Sequence, residues 1–496
     1  MNKVLEFFEE ICAIPRVSKH EEGMVNFLCF FAQKRGLRYH ADDFNNVIIW
    51  KDSLSKKTRE VCGILGESEK VSGFVFSVEA EEEESKEVVA KKQPIILQSH
   101  IDMVATKIPS LEFDFLTDPI PYYYDGDWIK TLGTTLGADN GIGVAIMLSL
   151  LDSDNENFPP IEAVFTADEE AGMSGAKNLN ISMLSAKNFL SLDNGKESEM
   201  NIACAAVARI SAEKKLQKVD MPKTKLFTLN LEGFQGGHSG CDIDKNRLNA
   251  IYSMCEILQE IDVKVVSKLN GGNGPTAIPS YASSTFASDK NFDEIQKTCE
   301  KMLKNMQKTE KSATFSLSIE EKAENQPELY EVSKLAQEIL SLPNGLLSTF
   351  DNGDKKTSQN LGILEISGGF LKIQIAARCS EKTEVDVHIS ALMHMLSERE
   401  FDAKILEKSP LFSTSKDDEF VNQICKSHEK FYGKKIKLNR THGGLEGGVF
   451  SEKNPSLSIA VMGPTMHDIH APTERVSVSS TNRFYDWMVA FLEEYL

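Results

Sequence analysis

The order of apolar and polar residues over the first 200 positions alternates between helical and strand spacing. Apolar residues recur at helical spacing over 4–14 and 21–35, and a mostly apolar stretch predicts a further helix at 142–151. Short apolar runs that are typical of buried strands occur at 46–50, 95–98, 161–167 and 188–192. Because strands and helices take turns along the chain, we expect an α/β fold in which helices cover a sheet.

The pattern changes after about residue 206 and returns to its first style after about 410. Between these positions the sequence predicts strands at 225–232, 282–287, 314–319 and 370–377, and helices at 245–260, 292–308 and 384–399. The last segment predicts a helix at 417–432, a strand at 457–462 and a helix at 480–495. We therefore expect a discontinuous first domain, 1–206 and 410–496, with an α+β domain of residues 207–409 inserted into it.

Composition limits the class of protein. The chain has 496 residues, 41% hydrophobic and 26% charged, which is typical of a globular protein of two or more domains. Its net charge of −19 argues against nucleic acid and anionic membrane as partners. No apolar run approaches the ~20 residues of a membrane span, so no membrane anchor is expected. Glu6, Glu9 and Glu10 stand among the apolar residues of the first predicted helix, which makes it amphipathic and unlike a signal peptide.

The cysteines and one acidic stretch add two expectations. Nine cysteines without a Cys-x-x-Cys pair favour a reducing, cytoplasmic location over a disulfide framework or a zinc ribbon. Residues 66–92 differ in composition from their surroundings and contain the run Glu-Ala-Glu-Glu-Glu-Glu-Ser at 79–85. We expect an exposed insertion there, and a functional acidic segment is the alternative.

Histidines and carboxylates follow the predicted strands of the first domain where each strand ends. In chain order they are His100 and Asp102, Glu169 and Glu170, Asp193, and His470. Asp139 lies in a glycine-rich turn just ahead of the helix predicted at 142–151. Because the carboxyl ends of parallel strands meet at one edge of a sheet, we expect these side chains to converge.

Taken singly, these residues have ordinary explanations. A His-x-Asp sequence is most often polar surface or core, and an adjacent glutamate pair is usually a solvated loop. Asp139 alone fits a helix N-cap, and Asp193 fits a turn. Their recurrence in order at strand ends is what favours a shared site.

As a group, the residues indicate a metal centre. Two histidines and several carboxylates, with no lysine or arginine among them, repel one another unless a cation binds, and Zn²⁺ suits these ligands. The set is large enough for two ions that share a carboxylate. Asp102 is well placed to accept the second ring N–H of His100. Of the adjacent Glu169 and Glu170, one can bind metal while the other acts as a general base.

The motifs resemble a known family. The order His100-x-Asp102, Gly137-Ala138-Asp139-Asn140-Gly141, Glu169-Glu170, Asp193 and His470 is similar to that of the M20 family of di-zinc metallopeptidases. Further stretches resemble its aminoacyl-histidine dipeptidase branch, the cytosolic non-specific dipeptidases: Leu97–Val104, Gly126–Gly143, Gly236–Gly240 and Gly463–Thr465. The similarity covers nearly the whole chain. It implies an α/β, di-zinc aminopeptidase-like catalytic domain, with the α+β insertion as a lid and dimerisation domain.

The resemblance also implies a role for each residue. One zinc would be held by His100 and Asp193, the other by Glu170 and His470, and Asp139 would bridge both. Asp102 would orient His100, and Glu169 would be the general base. Mn²⁺ or Co²⁺ would be substitutes for the two Zn²⁺ ions.

Four residues are candidates for contact with the substrate. By resemblance, His238 would stabilise the oxyanion and Arg378 would bind the substrate's terminal carboxylate; the alternatives are a histidine capping a turn and a structural salt bridge. Thr276 and Glu446 are candidates for further substrate contacts, with Glu446 receiving the free amine. His442 and His467 are expected to be polar loop residues or to support the ligands.

The sequence departs from the family pattern at three positions. Ser99 stands where the family usually has glycine, Thr276 replaces a common asparagine, and Ser280 replaces a common arginine. The zinc ligands and the base are all present. These departures therefore bear on specificity more than on catalysis.

The resulting hypothesis is a cytoplasmic di-zinc dipeptidase that cleaves small unblocked peptides, including Xaa-His. Its partners would be the peptide substrate and a second copy bound through the inserted domain, with no nucleic acid or membrane. Other M20 hydrolysis, such as deacylation of N-acyl amino acids or carboxypeptidase action, is one alternative. A catalytically silent relative that serves as a binding protein is another.

Overall fold

The computed structural model describes residues 3–52, 92–220, 224–320 and 327–495. The chain forms two compact units. Unit 1 is Met1–Ala203, Phe412–Arg440 and Glu446–Leu496; unit 2 is Cys204–Leu411 and Thr441–Leu445. The insertion predicted at 66–92 lies, apart from its last residue, outside the described residues.

A mixed sheet with eight strands among the described residues forms the centre of unit 1. Across the sheet, its strands are Arg38–Ala41, Val47–Lys51, Ile161–Thr166, Ile95–His100, Asn188–Ser191, Ser458–Val461, Glu199–Ala203 and Lys437–Arg440. The four in the middle, from Ile161–Thr166 to Ser458–Val461, run parallel. Every residue of Ile95–His100 is buried, as expected for a parallel strand covered on both faces.

Helices cover this sheet and supply most of the apolar core of unit 1. They are Lys3–Cys12, Glu22–Lys34, Ala138–Leu151, Ser174–Asn178, Glu419–Tyr432, Glu446–Lys453 and Val478–Glu494, with a short 3-10 helix at Ile181–Met183. All residues of Ala138–Leu151 are buried, which agrees with the almost wholly apolar sequence of the helix from Ile142 onward. A smaller sheet joins Tyr122–Asp125, Trp128–Thr131, Arg475–Ser477 and Met466–His467.

Unit 2 is built on an antiparallel sheet. Its main strand order is Thr314–Ile319, Lys225–Glu232, Ala282–Ser288, Val265–Gly271, Lys355–Ser367, Phe370–Cys379, Ala206–Lys215 and Asp402–Ser409. Three shorter strands, Lys218–Val219, Leu329–Glu331 and Gly345–Thr349, pair beside this path, and Gly237–His238 pairs separately with Ala277–Ile278. The helices are Ala250–Ile261, Phe292–Met306, Leu335–Leu340 and Val385–Glu398.

Two helices of unit 2 begin directly after residues that cap their N-termini. The helix predicted from residue 245 begins at Ala250, because the Asn249 side chain accepts the backbone N–H groups of Ile251 and Tyr252. The helix Phe292–Met306 begins with a reciprocal cap between Asn291 and Glu294. Among the described residues of the chain, we find no helix with the length and apolar character needed to cross a bilayer.

Candidate metal centre

Neighbouring parallel strands of unit 1 bring the candidate ligands to one edge of its sheet. His100 is the last residue of its strand. Glu169 and Glu170 follow the strand Ile161–Thr166, which pairs with the His100 strand on one side. Asp193 follows the strand that pairs with it on the other side. Adjacent strand ends therefore place these residues together, as the sequence pattern predicts.

Asp139 lies between the two histidines. Its Oδ1 is 3.2 Å from His100 Nε2, and its Oδ2 is 3.4 Å from His470 Nε2. His470 Nε2 is also 2.7 Å from Glu170 Oε1, and His100 Nε2 is 3.9 Å from Asp193 Oδ1. The two oxygens of one carboxylate thus face two different sets of ligand atoms, the arrangement that a bridging ligand requires.

The ligand atoms form compact groups. His100, Asp139 and Asp193 offer atoms within 4.8 Å of one another, and so do Asp139, Glu170 and His470. Glu169 also lies close, since it forms a third such group with His100 and Glu170. The structure brings together all five predicted metal ligands and the predicted base.

Burial and mutual repulsion perturb the carboxylates. Burial raises the pKa of Glu169 well above its usual value, and the charge of Glu170 raises it further. Burial also raises the pKa of Asp193 well above its usual value, with a further contribution from Asp139. The pKa of Glu170 is raised by burial as well. These acids are packed more closely than their ionised forms allow without a cation.

The histidines respond in the opposite sense. Burial alone would lower the pKa of His100, but contacts with Asp102 and Asp139 outweigh it and raise that pKa well above its usual value. Burial likewise opposes protonation of His470, yet Asp139 and Glu170 raise its pKa to about 11. The surroundings of both rings therefore favour positive charge. A bound cation would supply that charge in place of the ring protons.

The donor set fits divalent zinc. Neutral imidazole nitrogen and carboxylate oxygen are its preferred ligands in the absence of thiolates. His100 is fully buried, whereas the His470 side chain is 44% exposed, so the centre has a closed side and an open side. An open side is typical of catalytic zinc sites, whose coordination must admit water and substrate.

Asp102 connects the His100 strand to the Glu169–Glu170 loop. Its Oδ1 is 3.2 Å from His100 Nδ1 and accepts the backbone N–H of Glu169 at 3.1 Å. Its Oδ2 accepts the backbone N–H of Glu170 at 3.2 Å and the hydroxyl of Ser18 at 2.7 Å. One buried carboxylate thus orients a ligand ring and fixes the loop that carries the other two groups.

Arg16 fixes the turn before Asp139. Its buried guanidinium donates to the carbonyl oxygens of Ile101, Asp102 and Gly137. Gly137 has φ +68°, and a Cβ there would lie 2.8 Å from Met103 Sδ and still closer to the guanidinium. Glycine at 137 is therefore required both by backbone conformation and by the space that Arg16 occupies.

Glu474 holds the same turn from the other side. Its carboxylate accepts the backbone N–H groups of Leu136 at 2.7 Å, Gly137 at 3.0 Å and Asp139 at 3.2 Å. The helix predicted from residue 142 begins earlier, at Ala138, and contains a cis peptide bond between Asp139 and Asn140. Three hydrogen bonds to one buried acid fix the backbone at the candidate bridging ligand.

Glu446 is the first residue of the helix Glu446–Lys453. Its Oε2 accepts the Gln98 amide and the Thr166 hydroxyl, each at 2.6 Å, while its Oε1 is buried and has no hydrogen-bond partner in the described part of the chain. Burial raises the pKa of Glu446 to about 7. Ser99, the departure from the family glycine, is also buried, and its hydroxyl makes no hydrogen bond among the described residues.

The remaining predicted substrate residues lie in unit 2 and are close to one another. His238 pairs with Ala277, and the backbone N–H of the following Ser239 donates to the Thr276 carbonyl at 2.8 Å. Arg378 Nη2 is 3.4 Å from His238 Nε2 and 3.3 Å from the Ser239 hydroxyl. Unit 2 therefore groups His238, Thr276 and Arg378, while the metal ligands and Glu446 belong to unit 1.

The two other histidines have different surroundings. His442 is buried in unit 2, and its ring lies between the hydroxyls of Ser358 and Ser380. His467 is exposed, and its ring packs 5.2 Å from that of Trp128. Neither belongs to the groups of ligand atoms around Asp139.

Several residues around the candidate metal centre cannot be predicted from the sequence pattern. Arg16, Ser18 and Glu474 are single polar residues outside any motif. Arg16 and Glu474 bind backbone groups far away in the chain, and the Ser18 hydroxyl binds the distant Asp102 carboxylate. The one indirect sign is the glycine at 137, whose conformation and crowding imply a close neighbour.

The chain is similar to known proteins over nearly its whole length. The model of the family described as peptidase family M20/M25/M40 matches residues 96–494. The cytosol non-specific dipeptidase of Escherichia coli (strain K12) is 28% identical over 504 residues, covering 99% of this chain and 96% of that protein. The crystal structure of an aminoacylhistidine dipeptidase from Vibrio alginolyticus superposes with a TM-score of 0.76 at 29% identity, covering 100% of this chain and 96% of that one.

A more distant structure shares the fold. That of a tripeptidase from Staphylococcus aureus has a TM-score of 0.56 at 15% identity, with 99% of this chain and 97% of that chain covered. The sequence-based expectation of the fold class, an α/β catalytic fold of this type with an inserted α+β domain, is confirmed.

Proposed function

Because the chain belongs to peptidase family M20/M25/M40, we propose that it hydrolyses the peptide bond of unblocked dipeptides, Xaa-His among them, with two divalent zinc ions. The names of the Escherichia coli and Vibrio alginolyticus relatives support the dipeptide substrate. The observation that carries the metal centre is the position of Asp139, whose two oxygens face His100 and His470.

The ligand sets divide around Asp139. We assign His100 and Asp193 to one ion, Glu170 and His470 to the other, and Asp139 to both; the two groups of ligand atoms support this division. When bound, the ions supply Lewis acidity, which polarises a carbonyl oxygen and lowers the pKa of water to near neutrality. Asp102 keeps His100 in the orientation that presents Nε2.

Glu169 is assigned as the general base. Burial and the neighbouring Glu170 raise its pKa, so its carboxylate has a stronger affinity for a proton than an exposed glutamate. It accepts a proton from the attacking water and delivers that proton to the amine of the leaving residue. Its backbone N–H, bound by Asp102, fixes the loop from which it acts.

Arg378 is assigned to the substrate's terminal carboxylate. It is buried, which lowers its pKa to about 10, and it pairs with no carboxylate within the part of the chain that the structure describes. Its partners are neutral: the Ser239 hydroxyl and the His442 carbonyl. A buried guanidinium held by neutral groups favours an anionic ligand with two oxygens.

His238 is assigned to the oxyanion of the tetrahedral intermediate. Its Nδ1 accepts the backbone N–H groups of Gly240 and Cys241 at 3.3 Å, so the neutral ring carries its proton on Nε2. Arg378 Nη2, 3.4 Å from Nε2, is also a donor and cannot accept that proton, so the Nε2–H is assigned to the oxyanion. Thr276, whose carbonyl binds the Ser239 backbone, is assigned a polar contact to the same substrate. Glu446 Oε1, which has no hydrogen-bond partner among the residues that the structure describes, is the proposed acceptor for the substrate's amine.

A substrate panel with defined metal content tests this function. Metal-free protein is reconstituted with Zn²⁺, Mn²⁺ or Co²⁺ and assayed on Ala-His, β-Ala-His, a tripeptide and N-acetyl amino acids. We expect two metal ions per chain and hydrolysis of the dipeptides in preference to the others. Preferred cleavage of N-acetyl amino acids would replace dipeptidase action with deacylation, and two bound ions without turnover would indicate a binding protein.

We further propose a cytoplasmic homodimer formed through unit 2. The name of the Escherichia coli relative supports the location. The strand Asp402–Ser409 is the last described strand at one edge of its sheet, and Val387, Ile405 and Leu406 are exposed on it and on the preceding helix. Analytical ultracentrifugation of the wild type and of Leu406→Glu tests the dimer, which the charged variant should weaken.

A further inference from the structure

The side chain of His442 contacts two serine residues at two paired strands of unit 2. Its Nε2 lies 2.9 Å from the hydroxyl of Ser358, and its Nδ1 lies 2.9 Å from the hydroxyl of Ser380. Ser358 is the cross-strand partner of Arg378, and Ser380 comes directly after the end of the Arg378 strand, Phe370–Cys379. Side chains directly opposite on paired strands share a face of the sheet. The imidazole therefore lies against the same face from which Arg378 projects.

The backbone of the same residue holds the guanidinium. Arg378 Nη1 donates to the His442 carbonyl at 3.1 Å, and the Ser239 hydroxyl receives the other bonds, at 3.4 Å from Nε and 3.3 Å from Nη2. The imidazole is fixed at both nitrogens, so the carbonyl on the same residue is fixed as well. Residue 442 thus connects the two strands to the arginine.

We propose that His442 is the positioning residue for Arg378: a neutral imidazole, bound at both nitrogens by serine hydroxyls, that fixes the guanidinium for a substrate carboxylate. This inference rests on the proposed function, because it assumes that Arg378 binds the terminal carboxylate of a dipeptide. It adds the side chain that controls the preference for a free carboxyl terminus.

The chemistry of the site requires the neutral ring. Each serine hydroxyl can donate or accept, so a ring with one N–H and one bare nitrogen satisfies both contacts. Burial, together with the nearby charge of Arg378, lowers the pKa of His442 to about 3. The ring therefore adds no second positive charge beside the guanidinium.

Two substrates distinguish a positioning role of His442 from a general effect of its replacement on stability. Ala-His carries the carboxylate, and its C-terminal amide lacks it. His442→Leu should lower kcat/KM for Ala-His about 10- to 100-fold, mainly through KM, the range expected for the loss of a charge-assisted hydrogen bond. The amide should be hydrolysed at close to the wild-type rate, and His442→Gln should recover part of the preference. The control His428→Leu removes a buried histidine of unit 1 and should leave the preference for Ala-His over its amide unchanged.

A double variant shows whether the effect passes through the arginine. In an Arg378→Met background, His442→Leu should cause no further loss on Ala-His, because the group that it positions is absent. An equal loss on both substrates, or the full loss in the Arg378→Met background, would overturn the inference. If His442→Leu does not fold, Ser380→Ala takes its place with the same two substrates. A wild type that hydrolyses no dipeptide would overturn the proposed function, and this inference with it.

Discussion

Glu474 accepts the backbone N–H of Asp139 at 3.2 Å, although the two residues are 335 positions apart in the chain. The same carboxylate accepts two further backbone N–H groups, so it replaces three interactions that the turn would otherwise make with water. The position of the candidate bridging ligand therefore depends on a residue that touches no other candidate ligand among the described contacts.

Replacement of Glu474 tests this dependence. In Glu474→Gln, an amide N–H₂ faces backbone donors, so we expect a loss of about 1–3 kcal/mol in the free energy of unfolding and weaker metal binding. Urea unfolding and a metal titration measure the two effects. Glu494→Gln, at an exposed ion pair with Lys430, is the control and should change neither. Metal affinity equal to that of the wild type would contradict the role of Glu474.

The crowding around Gly137 gives a second prediction with a matched control. Gly137 and Gly126 both have positive φ, at +68° and +60°, but a Cβ at Gly126 meets nothing within 4 Å. Gly126→Ala should cost only the conformational strain, about 1 kcal/mol. Gly137→Ala must also displace Arg16 or Met103, so it should cost several times more and reduce metal binding. Thermal unfolding of the two variants, measured side by side, gives the loss of stability for each. Equal losses would show that the Arg16 side chain can move away from residue 137 without destabilising the protein.

Glu169→Gln should separate chemistry from metal binding. If Glu169 moves the proton, the variant keeps its metal content while kcat falls about 10²- to 10⁴-fold. Glu162→Gln is the matched control, because Glu162 is also buried, in the strand that precedes Glu169, and its carboxylate binds the Ser185 backbone instead. Full activity in Glu169→Gln would remove the residue from the mechanism, and loss of metal would make it a ligand.

Glu446 makes the stability of the metal-free protein depend on pH. Its pKa is raised from 4.5 to about 7, so the stability from burying its neutral form is fully present below pH 4.5 and is lost as pH rises through 7. That difference corresponds to about 3 kcal/mol. Glu446→Gln should flatten the decline by this amount in urea unfolding between pH 4.5 and 8, with exposed Glu398→Gln as control. An unchanged slope would show that Glu446 is not the source.

Chelation should destabilise the folded protein. Without cations the buried carboxylates repel one another, and a metal that binds only the folded state adds about 2.7 kcal/mol at 100 times its Kd. We expect a chelator to abolish activity and lower the Tm, and added Zn²⁺ to restore both. Asp139→Ala, which lacks the shared carboxylate, should show a Tm that responds far less to chelator or zinc.

Most of the candidate metal centre was accessible from the sequence because its ligands follow a physical rule. His100, Glu170 and Asp193 stand after apolar runs, and apolar runs of that length form parallel strands whose ends meet. Asp139 was found through the glycines around it. The start of its helix was predicted four residues late, because Asp139 and Asn140 interrupt the apolar pattern.

Residues that work through single long-range contacts could not be found in this way. The strand Lys355–Ser367 opens with polar residues, among them Thr357, Ser358, Gln359 and Asn360, which are buried. Local polarity argues against a buried strand, and their partners come from distant parts of the chain, as with His442 and Ser358. Arg16 and Glu474 could not be predicted for the same reason, because a single charged residue forms no periodic pattern in the sequence.

The discontinuity of unit 1 has a consequence for synthesis. The ribosome makes His100, Asp139, Glu170 and Asp193 before unit 2, but His470 and Glu474 only after it. A nascent chain therefore carries an incomplete set of candidate ligands for as long as the 276 residues between Asp193 and His470 take to translate. The candidate metal centre is therefore complete only after His470 has been synthesised, and not when its first strands fold.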